Sequence, residues 1–143
     1  MMLTIRDMHK DDVVELVLLT QHLGYEMSIE NMTDRVKLFL NNPYGKVLVA
    51  EIESTIVGYV CIWIREHFHD MQRSARIMAL VVHAQHRRTG IGKKLIVAAE
   101  QYVRNVGCIS LDLTSSHKRI AAHFFYTNLG YQSEAKRYFT KMM

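Results

Sequence analysis

The sequence is 143 residues long, 49% apolar and 22% charged, with a single proline. That balance belongs to a compact globular chain and excludes linker-rich, collagen-like or low-complexity proteins. Eighteen Lys and Arg against 14 Asp and Glu give a formal charge of +4, which favours an anionic partner without naming it. The longest apolar run, Ile56 to Ile64, has nine residues, far below the roughly 20 of a membrane helix. With no basic segment and apolar stretch at the start, the expectation is a cytoplasmic protein with no membrane partner. Cys61 and Cys108 read as reduced, buried thiols.

In chain order, Leu3 and Ile5 alternate with polar neighbours and predict a short first strand. Asp11 and Asp12 offer N-caps to a helix that carries Val13, Leu16, Val17, Leu19 and Leu23 and stops at Gly24. Ser28 caps a second helix, which must end before Pro43. Two β-rich runs follow, 46–53 and 55–65, close enough to be a hairpin. After a polar stretch, 75–83 predicts a third run. The clearest helix is 90–106, with an apolar stripe of Ile91, Leu95, Ala98, Ala99, Tyr102 and Val106. A strand over 109–114, a helix over 119–129 and a polar strand over 134–142 complete the chain. The order is β-α-α-β-β-β-α-β-α-β, an α+β (mixed α/β) fold in a single domain, 1–143. The pattern 75–83, 90–106, 109–114 is a right-handed βαβ crossover.

The most informative stretch is Arg87-Arg88-Thr89-Gly90-Ile91-Gly92-Lys93-Lys94, where a buried strand gives way to that helix. A helix N-terminus offers unpaired N–H groups and the positive end of its dipole. Glycines at 90 and 92 leave room for an anion against the backbone, and the cations add long-range attraction. The alternative is a solvated basic turn. The spacing fits neither a Walker A loop nor a dinucleotide-binding Gly-x-Gly-x-x-Gly.

The segment Leu80 to Leu95, with Arg87-Arg88-Thr89-Gly90-Ile91-Gly92 at its centre, resembles the acyl-CoA motif of the GNAT superfamily of N-acetyltransferases. Arg119-x-x-Ala122-His123-x-Phe125-Tyr126-x-x-x-Gly130-Tyr131 is similar to that family's closing motif. Leu23-Gly24-Tyr25, Val49-Ala50-Glu51 and Val57-Gly58 match in the same order. The resemblance implies a central sheet whose two parallel strands splay apart to admit acetyl-CoA as co-substrate. It implies that the backbone of Arg88, Thr89, Gly90, Ile91 and Gly92, with Arg87 and Lys93 nearby, holds the pyrophosphate. It further implies that Leu80 and Val82 pair with the pantetheine arm, that the Val82 N–H serves as oxyanion donor, and that Tyr126 is the general acid. Ser116 and Arg119 are weaker cofactor contacts on the same grounds.

Met78 stands where many relatives carry a basic glutamate, which leaves three routes open. Glu66, His67, His69 or Asp70 could act from the preceding loop, water could relay the proton, or the amine could arrive neutral. His67-Phe68-His69-Asp70 and His83-x-x-His86 have metal-like spacings but lack further ligands, so no metal is expected. The implied activity is acetyl transfer to a small-molecule or peptide amine. Glu26, Glu30, Glu66 and Asp70 tilt that expectation towards a cationic acceptor. The alternative is an acyl-CoA-binding sensor without turnover. Nucleic acid is not expected, because the cations gather at one helix start rather than interleaving with aromatics. The late strands permit a homodimer.

Overall fold

The computed structural model describes residues 2–115, 118–134 and 136–143, in two compact units that divide after Leu113. The first unit is a five-stranded sheet in which β1 (Leu3–Asp7), β2 (Gly45–Ile52), β3 (Thr55–Glu66), β4 (Arg73–Val82) and β5 (Leu111–Asp112) lie in sequence order. The first four are antiparallel neighbours, while β5 joins β4 in parallel. Helices α1 (Val13–Gln21) and α2 (Ile29–Asn41) precede β2, and α3 (Ile91–Asn105) links β4 to β5. The mixed α+β class expected from the sequence is the one observed.

The central strands β2, β3 and β4 carry apolar residues on both faces, one face for each helical layer. Val49, Tyr59 and Val81 pack with Leu16, Leu19, Met32 and Val36 beneath α1 and α2. The next position along β3, Gly58, faces the other way: a Cβ there would stand 3.2 Å from Leu95 Cδ1 of α3. Leu95, Ile96 and Ala99 are wholly buried. The α3 stripe therefore runs through Ile91, Leu95, Ile96, Ala99 and Val103, rotated from the expected one. Tyr102 instead lies at the rim, with Lys46 Nζ 5.1 Å from its ring centre.

The caps follow local chemistry, with one change. Ser28 Oγ accepts the Asn31 N–H at 2.9 Å, as a capping serine should. Asp12 does not cap α1 through its side chain. Its buried carboxylate accepts the His9 N–H at 2.7 Å and both arms of Arg6 at 3.0 Å, and Arg6 also binds Glu51 at 2.8 Å. A bidentate guanidinium satisfies that carboxylate better than a helix N–H would.

Two strand expectations change. The 109–114 strand pairs only at Leu111 and Asp112, opposite Ala75 and Arg76. In the second unit, where α4 spans Ile120–Asn128, the described residues of 134–142 form no strand. Their alternation supplies local propensity, but a strand is stabilised by ladder and cross-strand partners, and Tyr138 and Phe139 stand exposed.

Candidate functional site

The site is prepared by the way β4 leaves its neighbours. Its ladder with β3 slips between Cys61 and Ile62, which pair with Ala79 and Ile77, so Met78 is the extra residue of a β-bulge. Met78 is 60% exposed and has no group that takes a proton. On the other side, pairing with β5 stops at Arg76–Asp112. There Asp112 accepts Arg76 Nε at 2.7 Å and an Arg65 nitrogen at 2.5 Å, which clamps the strands where they begin to diverge. Burial alone would raise the Asp112 pKa, but the two guanidinium hydrogen bonds bring it below the usual carboxylate value.

Beyond the clamp, β4 has no ladder partner on that side among the described residues of the first unit, and this stretch is its open edge. His83 N–H donates to Val57 C=O at 2.7 Å, so residue 83 points its N–H towards β3. By antiparallel alternation the N–H groups of Val82 and Leu80 point the opposite way, to the side that β5 has left. The Val82 carbonyl also faces that side and receives Arg87 Nε at 3.3 Å.

The turn from β4 to α3 spends its side chains on its own backbone. His83 Nδ1 accepts the Gln85 N–H at 3.1 Å, and Thr89 Oγ1 donates to the His86 carbonyl. Arg88 and Gly90 have φ of +64° and +84°; the second is a conformation glycine adopts without penalty. These bends present the start of α3 outward. No side chain caps that end, and the first intrahelical bond there is Lys94 N–H to Gly90 C=O at 3.1 Å. The earlier amides, at Ile91, Gly92 and Lys93, lack intrahelical acceptors by geometry. A Cβ built on Gly90 would meet no atom within 4 Å, so the cradle is open to solvent. Arg87, Arg88, Lys93 and Lys94 are exposed and enter no ion pair among the described residues. Ile91 contributes its amide alone, since its side chain is buried in the core.

In the second unit, Arg119 immediately precedes α4, and Tyr126 lies on it. Tyr126 is flanked by Phe125 and Tyr131, with ring centres at 5.1 and 6.0 Å. Burial pushes its phenol pKa up, and Arg119 pulls the other way. Ser115 Oγ is buried without a hydrogen-bond partner among the described residues. Ser116 lies outside the described residues.

The hairpin between β3 and β4 is not part of the open edge. It is separated from Leu80 by the strand from Arg73, seven steps or roughly 23 Å at the usual rise per residue. Glu66, His67, His69 and Asp70 therefore sit too far away to take a proton at that edge, and the 66–74 loop does not wall it. Their side chains are used locally: Glu66 binds Arg73 at 2.6 Å, and His67 bridges Asp70 and Ser74 at 3.0 Å each. The hairpin does bring together one potential ligand atom each from His67, His69 and Asp70, all within 4.8 Å. These are the three residues of the His67-Phe68-His69-Asp70 spacing, and no fourth His, Cys, Asp or Glu joins them among the described residues.

Residues 12–131 match the acetyltransferase (GNAT) family. The chain belongs to that family. An aminoalkylphosphonate N-acetyltransferase of Salmonella typhimurium is 29% identical over 126 residues, covering 88% of this GNAT chain and 81% of its own length. N-acetyltransferase 8F1 of Rattus norvegicus is 29% identical over 110 residues, 77% of this chain and 49% of its own, so the chain spans about half that relative. Among solved structures, an aminoglycoside N-acetyltransferase in complex with CoA superposes with a TM-score of 0.89 at 18% identity, over 99% of this chain and 95% of that one. At that identity the likeness speaks for the GNAT fold alone. Among the described residues, no helix is long and apolar enough to cross a membrane.

Proposed function

We propose that this GNAT-family chain is an N-acetyltransferase that carries the acetyl group of acetyl-CoA to a primary amine, with both substrates bound together. The observation that carries the reading is the junction of an open strand edge with an uncapped helix N-terminus. A linear ligand with an anionic end and an amide-bearing arm fits that donor set.

Acetyl-CoA supplies the activated thioester; the chain's residues bind, orient and move protons. The amides of Arg88 to Gly92 receive the pyrophosphate, with Arg87 and Lys93 neutralising it and Arg119 a secondary contact. Leu80 and Val82 offer N–H groups along the edge, and the Val82 N–H steadies the negative charge that develops on the thioester oxygen. Tyr126 Oη gives its proton to the departing sulfur. A phenol whose pKa is raised stays protonated at neutral pH, as a donor must. Met78 offers no base and the hairpin groups are remote, so the amine proton leaves through water, or the amine binds already neutral.

The acceptor is a small-molecule or peptide amine. That the Salmonella relative is named for an aminoalkylphosphonate supports an amine on a compact molecule. The same reading has the protein cytoplasmic, without a nucleic-acid or membrane partner, and permits a homodimer. The test is thermal unfolding with acetyl-CoA, followed by thiol release over an amine panel for the parent and for Tyr126→Phe. A stabilising shift with thiol release that drops about 100-fold or more in the variant supports the reading. A shift without release from any amine would leave only an acyl-CoA sensor, and no shift at millimolar acetyl-CoA would overturn both.

A further inference from the structure

A cavity of about 170 Å³ lies under α2, against the same stretch of β4 that forms the open edge. Met32, Val36 and Phe39 roof it, Tyr59 and Cys61 of β3 form its floor, and Ala79 of β4 closes one side. Ala79 sits between the Met78 bulge and Leu80, so one residue of β4 separates this cavity from an N–H of the edge. The lining is almost wholly apolar. The Tyr59 and Thr20 hydroxyls, which do reach it, satisfy each other at 2.7 Å. Burial pushes the Cys61 thiol up to about 12, so it stays neutral and counts as an apolar wall. An apolar cavity of about 150 Å³ takes up a benzene-sized guest. One lining residue breaks the pattern: Arg35, exposed on α2, enters no ion pair among the described residues.

We infer that the acceptor is an amine bearing both an apolar arm the size of a phenyl or branched alkyl group and a carboxylate, the arm seated in this cavity and the carboxylate on Arg35. The inference rests on the acyltransferase reading and deepens it. It also replaces the lean towards a cationic acceptor. Two of the acidic residues behind that lean, Glu66 and Asp70, belong to the remote hairpin. In the reaction the amine nitrogen bonds to the thioester carbon as the carbon–sulfur bond breaks. The neutral amine nitrogen loses one proton to water, the sulfur gains one from Tyr126, and water returns a proton to the Tyr126 phenolate, leaving an N-acyl amino acid and free CoA.

Phenylalanine, phenylalaninamide and glycine separate the two elements of recognition, since the amide lacks the charge and glycine lacks the arm. Thiol release by the full chain should show kcat/KM for phenylalanine about tenfold or more above both. Arg35→Gln should remove the preference of acid over amide, and the loss should appear in KM for the acid. Cys61→Leu, which narrows the cavity, should penalise phenylalanine relative to glycine. Titration calorimetry with N-acetylphenylalanine and N-acetylphenylalaninamide, without acetyl-CoA, gives a readout apart from turnover, and the acid should bind about tenfold more tightly in the parent only. Acetyl-CoA binding and thiol release that are indifferent to arm, charge and Arg35→Gln would overturn the inference and leave the acyltransferase reading standing. Absence of any acetyl-CoA shift would remove that reading, and calorimetry showing no acid preference would then dispose of the cavity assignment as well.

Discussion

Gly58→Ala tests how closely β3 is fitted against the open edge. The added Cβ would stand 2.7 Å from the Val81 carbonyl oxygen, 3.2 Å from Leu95 Cδ1 and 3.5 Å from Val82 Cα. Two of those neighbours are backbone of β4, and Leu95 is wholly buried, so none can yield without moving a strand or helix. Overpacking of this kind costs about 1–3 kcal/mol, and replacing glycine in a strand returns about 0.5–1 kcal/mol through the unfolded chain. A net loss of about 2 kcal/mol follows from the upper part of that range. For 143 residues the unfolding entropy is about 0.3 kcal/mol per degree, which turns this into a fall in Tm of roughly 6–7 °C. Because the displaced atoms belong to Val81 and Val82, the added stability from acetyl-CoA should shrink as well. Differential scanning fluorimetry with and without acetyl-CoA reads both quantities. A variant within 1 °C of the parent, with the same ligand shift, would refute the close fit and its link to the cofactor edge.

Gly90→Ala should behave in the opposite proportion. Its Cβ meets no atom, so only the φ of +84° costs stability, about 1 kcal/mol, while acetyl-CoA stabilisation falls steeply because the methyl enters the cradle; the same scan measures both. Asp112→Asn weakens the clamp on Arg65 and Arg76. The group is half exposed, so global stability should change by less than about 1 kcal/mol, but exchange of the Ala75 amide, bonded to Ser110 C=O at 3.0 Å, should accelerate. At Asp12, burial works to raise the carboxyl, but Arg6 and the His9 N–H outweigh it and hold the group below its ordinary value. A depressed carboxylate stabilises the fold above the unfolded pKa of about 3.9 and loses that contribution as pH falls through the lower folded value. Urea midpoints should therefore fall less between pH 5 and pH 2.5 for Asp12→Asn than for the parent.

What the sequence made legible was whatever a local signal encodes. The Ser28 cap, the stop before Pro43, the 53–54 turn and the turn from β4 into α3 all rest on chemistry confined to a few neighbours. Features that need a partner from elsewhere in the chain were hidden. Alternation at Ile109, Leu111 and Leu113 predicted a full strand, yet β4 offers β5 a ladder only at Ala75 and Arg76. The bulge at Met78 is a property of two strands' registers rather than of the methionine. Asp12 looked like a cap because its competing partner, Arg6, is also bound to Glu51 of β2, 45 residues away in sequence. The hairpin carboxylates and imidazoles looked available as bases because sequence distance from Val82 says nothing of direction along a strand. The cavity under α2 carries no local signal either, since apolar residues at helical spacing such as Met32, Val36 and Phe39 look the same whether or not space is left beneath them.

An edge and a helix end that offer only main-chain N–H groups make few demands on side-chain identity. Substitution at Arg88, Thr89 or Lys93 leaves the amides in place, provided the backbone keeps the bend that Gly90 permits. The proposed acceptor site is different, because the cavity lining and Arg35 would act through their side chains and each replacement there would alter what can enter. Such a division lets a lineage drift widely in sequence and change acceptors by a few replacements on α2 and β3, while the cofactor half of the reaction passes unchanged from one protein to the next.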